Sequence, residues 1–297
     1  MCAASRIAVK RNPGGVFSSW ANASLKAGDT LDVLPPLGHF HVALDPAAHR
    51  HYLGVAAGSG ITPLLSIIAT TLATEAGSRF TLVYGNRASG TVMFKEALAA
   101  LKDRYLGRFN LVHVLSREAQ DIELLHGRID QARAEAILER FVPLAQIHAA
   151  FVCGPEGMMD AVTAALRARG FPADRIKVER FATSVQRHAH VPARAPEAGH
   201  EQCTVTATLD GTTRTFAVDK GSESLLDAAL RQGIELPYSC KAGVCSTCRC
   251  RLTTGEVDMD ANFALEDYEV ARGFVLACQS YPVTDAVSVT FDDTGTG

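Results

Sequence analysis

No apolar run in this 297-residue chain is long enough to cross a bilayer. The longest, residues 61–73, is interrupted by Pro63, Ser66 and threonines. The chain does not open on a basic segment, an apolar stretch and a small-residue cleavage site, so the expectation is a cytoplasmic protein with no membrane partner. A block of basic residues is missing too. With 29 Lys and Arg against 32 Asp and Glu, the formal net charge is -3, which argues against nucleic acid or an anionic lipid surface as partner. A disulfide framework is equally unpromising, because four of the eight cysteines cluster at ligand spacing in a chain without an export signal. Cys2, Cys203 and Cys250 are left over and read as unligated thiols.

What the chain does have is 47% hydrophobic residues, enough for more than one core, and a length that suggests two or three domains. Residues 182–201, ATSVQRHAHVPARAPEAGHE, lack apolar periodicity and are rich in Pro, Ala and His, which marks a linker. His188, His190 and His200 within it read as solvated rather than as a metal cluster. Upstream, short apolar runs at 52–57, 80–85, 111–115, 149–153 and 176–181 predict strands. Helical patterns at 63–76, 94–101, 132–141 and 157–169 lie among them. Strand alternating with helix predicts a parallel sheet covered on both faces, an α/β nucleotide-binding architecture. Downstream, 203–209 and 213–218 flank Asp210-Gly211 as a hairpin, a helix spans about 224–231, and 249–253 and 287–291 read as strands of a small α+β unit. Ahead of the sheet, 6–11 and 30–34 read as two more strands, too little to stand alone.

Cys240, Cys245, Cys248 and Cys278 stand as C-x4-C-x2-C and a distant fourth cysteine, the spacing of plant-type [2Fe-2S] clusters. Small residues surround them in LPYSCKAGVCSTCRC, as close packing of backbone around sulfide requires. The alternative, structural zinc, favours two CxxC-type pairs, and only one is present. In YLGVAAGSGITP, Gly58, Ser59 and Gly60 link a strand to a helix opening with Thr62 and Pro63, where backbone could approach a pyrophosphate. That loop alone leaves nucleotide binding and a mere tight connection both open. In FVCGPEGMM a strand ends at Cys153 and Gly154, on the side of the sheet where ligands sit, though a buried structural cysteine fits as well. In LSREAQ another strand ends at Ser116 and Arg117, a hydroxyl and a guanidinium suited to a phosphate or simply to a solvated loop.

Together these segments, with GEVDMDANFAL and GFVLACQSYP, resemble the ferredoxin-NADP reductase superfamily with a C-terminal plant-type ferredoxin domain, and most closely its phenylacetyl-CoA epoxidase reductases. The resemblance implies a partial flavin β-barrel over residues 1–48, a five-stranded NAD(P)-binding domain over 49–181, the linker 182–201, and a β-grasp ferredoxin domain over 202–297. It implies that Gly58, Ser59, Gly60, Thr62 and Pro63 cradle the NADPH pyrophosphate, that Cys153 and Gly154 flank the nicotinamide, and that Ser116 and Arg117 hold the 2'-phosphate. Glu179 and Phe181 match the pair near the flavin ring, and Gly15, Val16, Phe17 and Ser18 match the segment facing the FAD pyrophosphate. The family's R-x-Y-S flavin segment has no counterpart, and residues 1–4 align directly after it. The expectation is therefore a start assigned too far downstream, or a shortened variant.

By the same resemblance, the function is to pass electrons from NADPH through FAD and the [2Fe-2S] cluster to a multi-subunit di-iron oxygenase that epoxidises phenylacetyl-CoA. Two alternatives stay open: the reductase of a Rieske-type dioxygenase or demethylase, and a flavin-less ferredoxin-like electron shuttle.

Overall fold

The computed structural model describes residues 7–11, 14–31, 33, 38–181 and 202–293. The chain forms two compact units, Met1–Glu179 and Arg180–Gly297. The predicted linker, 182–201, lies outside the described residues.

The first unit runs α1 (Val16–Ala23), β1 (His51–Ala57), α2 (Ile61–Thr74), β2 (Arg79–Asn86), α3 (Lys95–Arg104), β3 (Phe109–Leu115), α4 (Gln131–Phe141), β4 (Ile147–Cys153), α5 (Glu156–Ala168) and β5 (Ile176–Glu179). All five strands are parallel, in the order β3-β2-β1-β4-β5. The strands are continuous apolar runs because both faces of a parallel sheet are covered. Leu53, Val55, Val83 and Val152 pack with Ile137, Met159, Val162 and Leu166 of α4 and α5. Tyr52, Phe80 and Phe151 form an aromatic group, stacked at 5.9 and 6.3 Å between centroids.

The edge of this sheet where the strands begin is built for stability. Glu75 is completely buried and accepts hydrogen bonds from Tyr52 Oη, Ser78 Oγ and the Asp45 N–H, with Arg50 alongside. Burial alone would raise this carboxyl; the bonds from Ser78, Asp45 and Tyr52 outweigh it and hold the carboxyl below its usual value. Arg108 donates to the carbonyls of Leu72, Glu75 and Ser78 and so satisfies the open end of α2.

Residues 7–11, Thr30, Leu31 and Val33, where strands were expected, have no strand partner among the described residues; Arg6, Asp32 and Leu34 lie outside them. The regular element of that region is α1, inside the segment expected to be a connection. None of its residues is buried, so no packed face marks it as a helix in the sequence.

The second unit runs β6 (Gln202–Leu209), β7 (Thr212–Asp219), α6 (Leu225–Arg231), β8 (Arg249–Thr254), β9 (Val257–Met259), α7 (Asp267–Ala271), β10 (Phe274–Leu276), β11 (Ser280–Pro282) and β12 (Ala286–Thr290). Its main sheet has the order β10-β8-β12-β6-β7, in which β6 and β12 are parallel and the other pairs antiparallel; β9 and β11 make a separate ribbon. The β6–β7 turn places Asp210 (φ 51°) and Gly211 (φ 70°) in the left-handed region, the tight hairpin that Asp-Gly favours. Ser224 caps α6 by accepting from the Asp227 N–H, and Leu225, Leu226, Ala228 and Ala229 turn inward against Val205, Phe216 and Val287.

Candidate functional site

In the first unit the chain leaves β1 for β2 on one side and returns as β4 on the other, so the crevice between the ends of β1 and β4 is the topological switch point. Gly58, Ser59 and Gly60 form one 3-10 turn directly after β1 and lead into α2, with Thr62 and Pro63 in its first turn. Ala56 is the register partner of Cys153, which places this turn beside the end of β4. A Cβ on Gly60 would stand 2.0 Å from the Cys153 carbonyl oxygen, so glycine is required by the close approach of two backbones. Gly58 (φ 54°) is held by the buried Tyr84, whose Oη donates to its carbonyl at 2.9 Å, and Thr62 Oγ1 donates to the Ser59 carbonyl at 3.0 Å. No side chain caps α2, but the Ile61 N–H already donates to the Gly58 and Ser59 carbonyls, so what the helix start offers an anion is its dipole and the close approach of the glycine backbone.

Cys153 and Glu179 are register partners on β4 and β5. The Cys153 thiol is pushed up to about 12, by burial first and then by the Glu179 charge, so it is neutral at physiological pH and no nucleophile. Burial raises the Glu179 carboxyl as well. Gly154 follows, with its would-be Cβ 2.7 Å from the Met158 side chain. Phe181 is half-buried two residues beyond β5.

Ser116 and Arg117 follow β3, at the edge of the sheet. The Ser116 N–H donates to Asn86 and the Arg117 N–H to Arg87, extending the β2–β3 ladder by two residues. Ser89 donates through its N–H and Oγ to Glu118, tying the two loops together. Arg87 and Arg117, both exposed, thus stand on neighbouring strand ends joined by a backbone hydrogen bond. Sequence reading named only Arg117. Arg87 lies in a separate segment, and only register brings the two together. Gly15, Val16, Phe17 and Ser18 form the N-cap and first turn of α1, which has no side-chain cap.

In the second unit Cys240, Cys245 and Cys248 lie on the loop between α6 and β8, and Cys278 on the turn between β10 and β11. Lys241 (φ 52°), Gly243 (φ 73°) and Ser246 (φ 55°) are left-handed. Interleaving such residues with ordinary ones turns successive amides toward one side, and the two non-glycine residues each cost on the order of 1–3 kcal/mol. The Ala242 N–H reaches Cys240 Sγ at 3.3 Å, the Thr247 hydroxyl and N–H bond Cys245, and the Gly243 backbone bonds Cys278. A Cβ on Gly243 would stand 2.6 Å from the Ala261 carbonyl oxygen.

The four sulfurs contact one another: Cys245 with Cys240, and Cys278 with Cys240 and Cys248. Left to protein groups, Cys245 is pushed up to about 12 by its bond to Cys240 and by burial. Cys278 rises to about 11, where Cys240 lowers it but Cys248 and burial outweigh that. Metal charge reverses this and deprotonates a coordinating thiol outright. Among the described residues no three His, Cys, Asp or Glu side chains close on a single ion, whereas a [2Fe-2S] centre asks for two ligands at each of two irons. Four thiols with inward N–H groups fit that group.

Residues 207–283 match the 2Fe-2S iron-sulfur cluster binding domain, and residues 55–164 the oxidoreductase NAD-binding domain. The chain is 46% identical over 294 residues to a component of 1,2-phenylacetyl-CoA epoxidase from Escherichia coli (strain K12), covering 97% of this chain and 80% of that protein. It is 35% identical over 288 residues to the ferredoxin reductase component of 3-ketosteroid-9-alpha-monooxygenase from Mycobacterium tuberculosis (strain ATCC 25618 / H37Rv), covering 97% and 76%. The chain belongs to the ferredoxin-NADP reductase superfamily, among its oxygenase reductase components. A type IV self-sufficient cytochrome P450 monooxygenase shares the fold, with a TM-score of 0.64 and 24% identity over 95% of this chain and 32% of that one.

A reductase component of this family is an NAD(P)H-dependent flavin and iron-sulfur oxidoreductase that passes electrons from NAD(P)H through a [2Fe-2S] centre to an oxygenase. Both sites fit that role. The switch-point crevice offers a helix start without a side-chain cap and a glycine approach to a dinucleotide, and the α6–β8 loop offers four thiols to a cluster. For FAD, the first turn of α1 has no side-chain cap and so suits a pyrophosphate, and Glu179 is the last residue of β5. Among the described residues, no helix is long and apolar enough to cross a membrane.

Proposed function

We propose that this protein is the NADPH-oxidising component of a multi-subunit di-iron epoxidase acting on phenylacetyl-CoA. The observation that carries the reading is the 46% identity to a phenylacetyl-CoA epoxidase component across 97% of the chain. In this reading residues 1–48 belong to the flavin-binding domain, 49–181 bind NADPH, 182–201 link, and 202–297 form the ferredoxin domain.

Gly58, Ser59, Gly60, Thr62 and Pro63 receive the pyrophosphate against the glycine backbone and the positive end of the α2 dipole. Ser116 and Arg117, joined by Arg87, hold the 2'-phosphate by charge-assisted hydrogen bonds. Cys153 and Gly154 lie against the nicotinamide, where a neutral, small thiol fills space without competing as a nucleophile. Gly15, Val16, Phe17 and Ser18 hold the FAD pyrophosphate, while Glu179 and Phe181 border its ring. FAD, when bound, supplies the conversion of a two-electron hydride into single electrons, which no side chain here can perform. Cys240, Cys245, Cys248 and Cys278 hold the centre from which single electrons leave. A chain with reduced thiols at ligand spacing suits the cytoplasm.

Purified protein mixed with NADPH tests this directly. Flavin absorbance that bleaches, together with the EPR signal of a reduced [2Fe-2S] centre, is expected; a cluster signal obtainable only with a chemical reductant would make it a simple shuttle. Pairing with the di-iron epoxidase should then yield epoxide. A second reading, reductase of a Rieske-type oxygenase, rests on the 35% identity to a monooxygenase ferredoxin reductase component. Product from that oxygenase and none from the epoxidase would select it.

A further inference from the structure

We infer that Gln279, which follows the fourth cluster cysteine, is a positioning residue that sets the reduction potential of the [2Fe-2S] centre. Its side-chain amide has two N–H groups for three acceptors, the Lys241 carbonyl at 3.2 Å, the Cys278 carbonyl at 2.9 Å and Cys278 Sγ at 3.7 Å, so the sulfur takes a share of an N–H in a three-centre hydrogen bond. One side chain therefore joins the two pieces of chain that supply ligands, the loop between α6 and β8 and the turn between β10 and β11.

The site is built around that amide. The Gln279 Cγ would lie 3.3 Å from a Cβ on Gly243, so the aliphatic stem runs against a glycine whose Cβ would already stand 2.6 Å from the Ala261 carbonyl oxygen. Its backbone is independently fixed, its N–H donating to the Leu276 carbonyl and its carbonyl accepting from the Asp260 N–H. Acceptors surround the nitrogen, so the amide orientation with the NH2 toward sulfur is the one its neighbours demand.

The physical consequence concerns charge. The centre gains one electron on reduction and takes up no proton, so negative charge on its sulfurs rises by one unit spread over the cluster. A donor to Cys278 Sγ strengthens as that charge grows and so favours the reduced state; hydrogen bonds to sulfur are among the determinants of cluster potential. Losing the donor lowers the potential, and replacing it with a carboxylate lowers it further.

The inference rests on the cluster reading, and the two fail separately. Wild-type protein without two irons per chain would sink the cluster itself. Given a wild-type cluster, Gln279→Leu keeps the stem and removes the donor, and Gln279→Glu keeps the shape and adds a charge. In a dye-mediated redox titration followed by EPR, the ratio of reduced to oxidised cluster at fixed solution potential is expected to fall roughly fivefold to tenfold in Gln279→Leu, and further in Gln279→Glu at neutral pH. If either variant keeps its iron, that variant decides: an unmoved or raised midpoint overturns the assignment. Loss of iron from both overturns it as well, because Gln279 then builds the cradle and does not tune it.

Discussion

In the proposed function the two units bind their cofactors in opposite ways. The nucleotide crevice is made almost entirely of backbone: a turn that needs Gly58 and Gly60, the uncapped start of α2, and the carbonyl of Cys153. The cluster loop is made of side chains, four thiols carried by a loop and a turn whose amides point inward. A backbone site tolerates variation in what decorates it but not in how closely its strands approach. A side-chain site tolerates little change in its four sulfurs, while its surroundings adjust what those sulfurs do.

The contrast breaks most visibly at the cysteines. Replacing Cys245 with Ala is expected to abolish the cluster, read as loss of iron and visible absorbance, while the nucleotide unit keeps its thermal transition and still binds NADPH. Iron retained in full would refute the ligand assignment. Gly60→Ala should do the reverse. A methyl forced to within 2.0 Å of the Cys153 carbonyl must push strand ends apart, at a cost of about 2 kcal/mol or more. NADPH binding should weaken severely while the iron content stays whole.

A smaller effect separates the two dinucleotides. Arg117→Ala is expected to remove about 1.5–3 kcal/mol from NADPH binding, roughly 10- to 100-fold, and to leave NADH nearly unchanged. Arg87→Ala should act in the same direction, with the double variant falling short of the sum because both arginines serve one phosphate. Equal weakening of NADPH and NADH would remove both from that role. Tyr84→Phe deletes the bond to Gly58 and should cost about 1 kcal/mol, seen as a KM for NADPH several-fold higher with kcat little changed.

The smallest effect is a pH dependence. Burial raises the Glu179 carboxyl, so between its ordinary value and the raised one the folded protein holds a proton that the unfolded chain has released. Stability from this group is therefore full at low pH and is lost as pH rises through the folded value. Gln in its place should make the nucleotide unit at least as heat-resistant as the parent at pH 7–8, with the advantage vanishing near pH 4.

Much of this was legible in the chain itself, and the reason differs by region. In the first unit the strands buried on both faces gave themselves away as apolar runs, and the observed bounds of β1, β2 and β4 fall within two residues of those expected. The cysteine spacing is a local code, readable without knowledge of the fold. Tyr84, Arg87 and Gln279 were invisible, because each acts across a register or through a turn that sequence spacing does not encode. The three-residue elements β9, β10 and β11 were missed since so short a strand carries no periodicity. At the other end, β-prone residues suggested strands at 6–11 and 30–34, and the described residues among them show none.

The ladder between β8 and β10 has one more consequence. Leu276 pairs with Arg249, and the Ala277 N–H donates to the Cys248 carbonyl, so antiparallel register is what delivers Cys278 to a loop that ended thirty residues earlier. A slip of one residue would turn Cys278 to the opposite face and leave three thiols without their fourth. The colour of the assembled centre is thus a proofreading signal, since only chains whose β8–β10 ladder has closed in register can become red-brown.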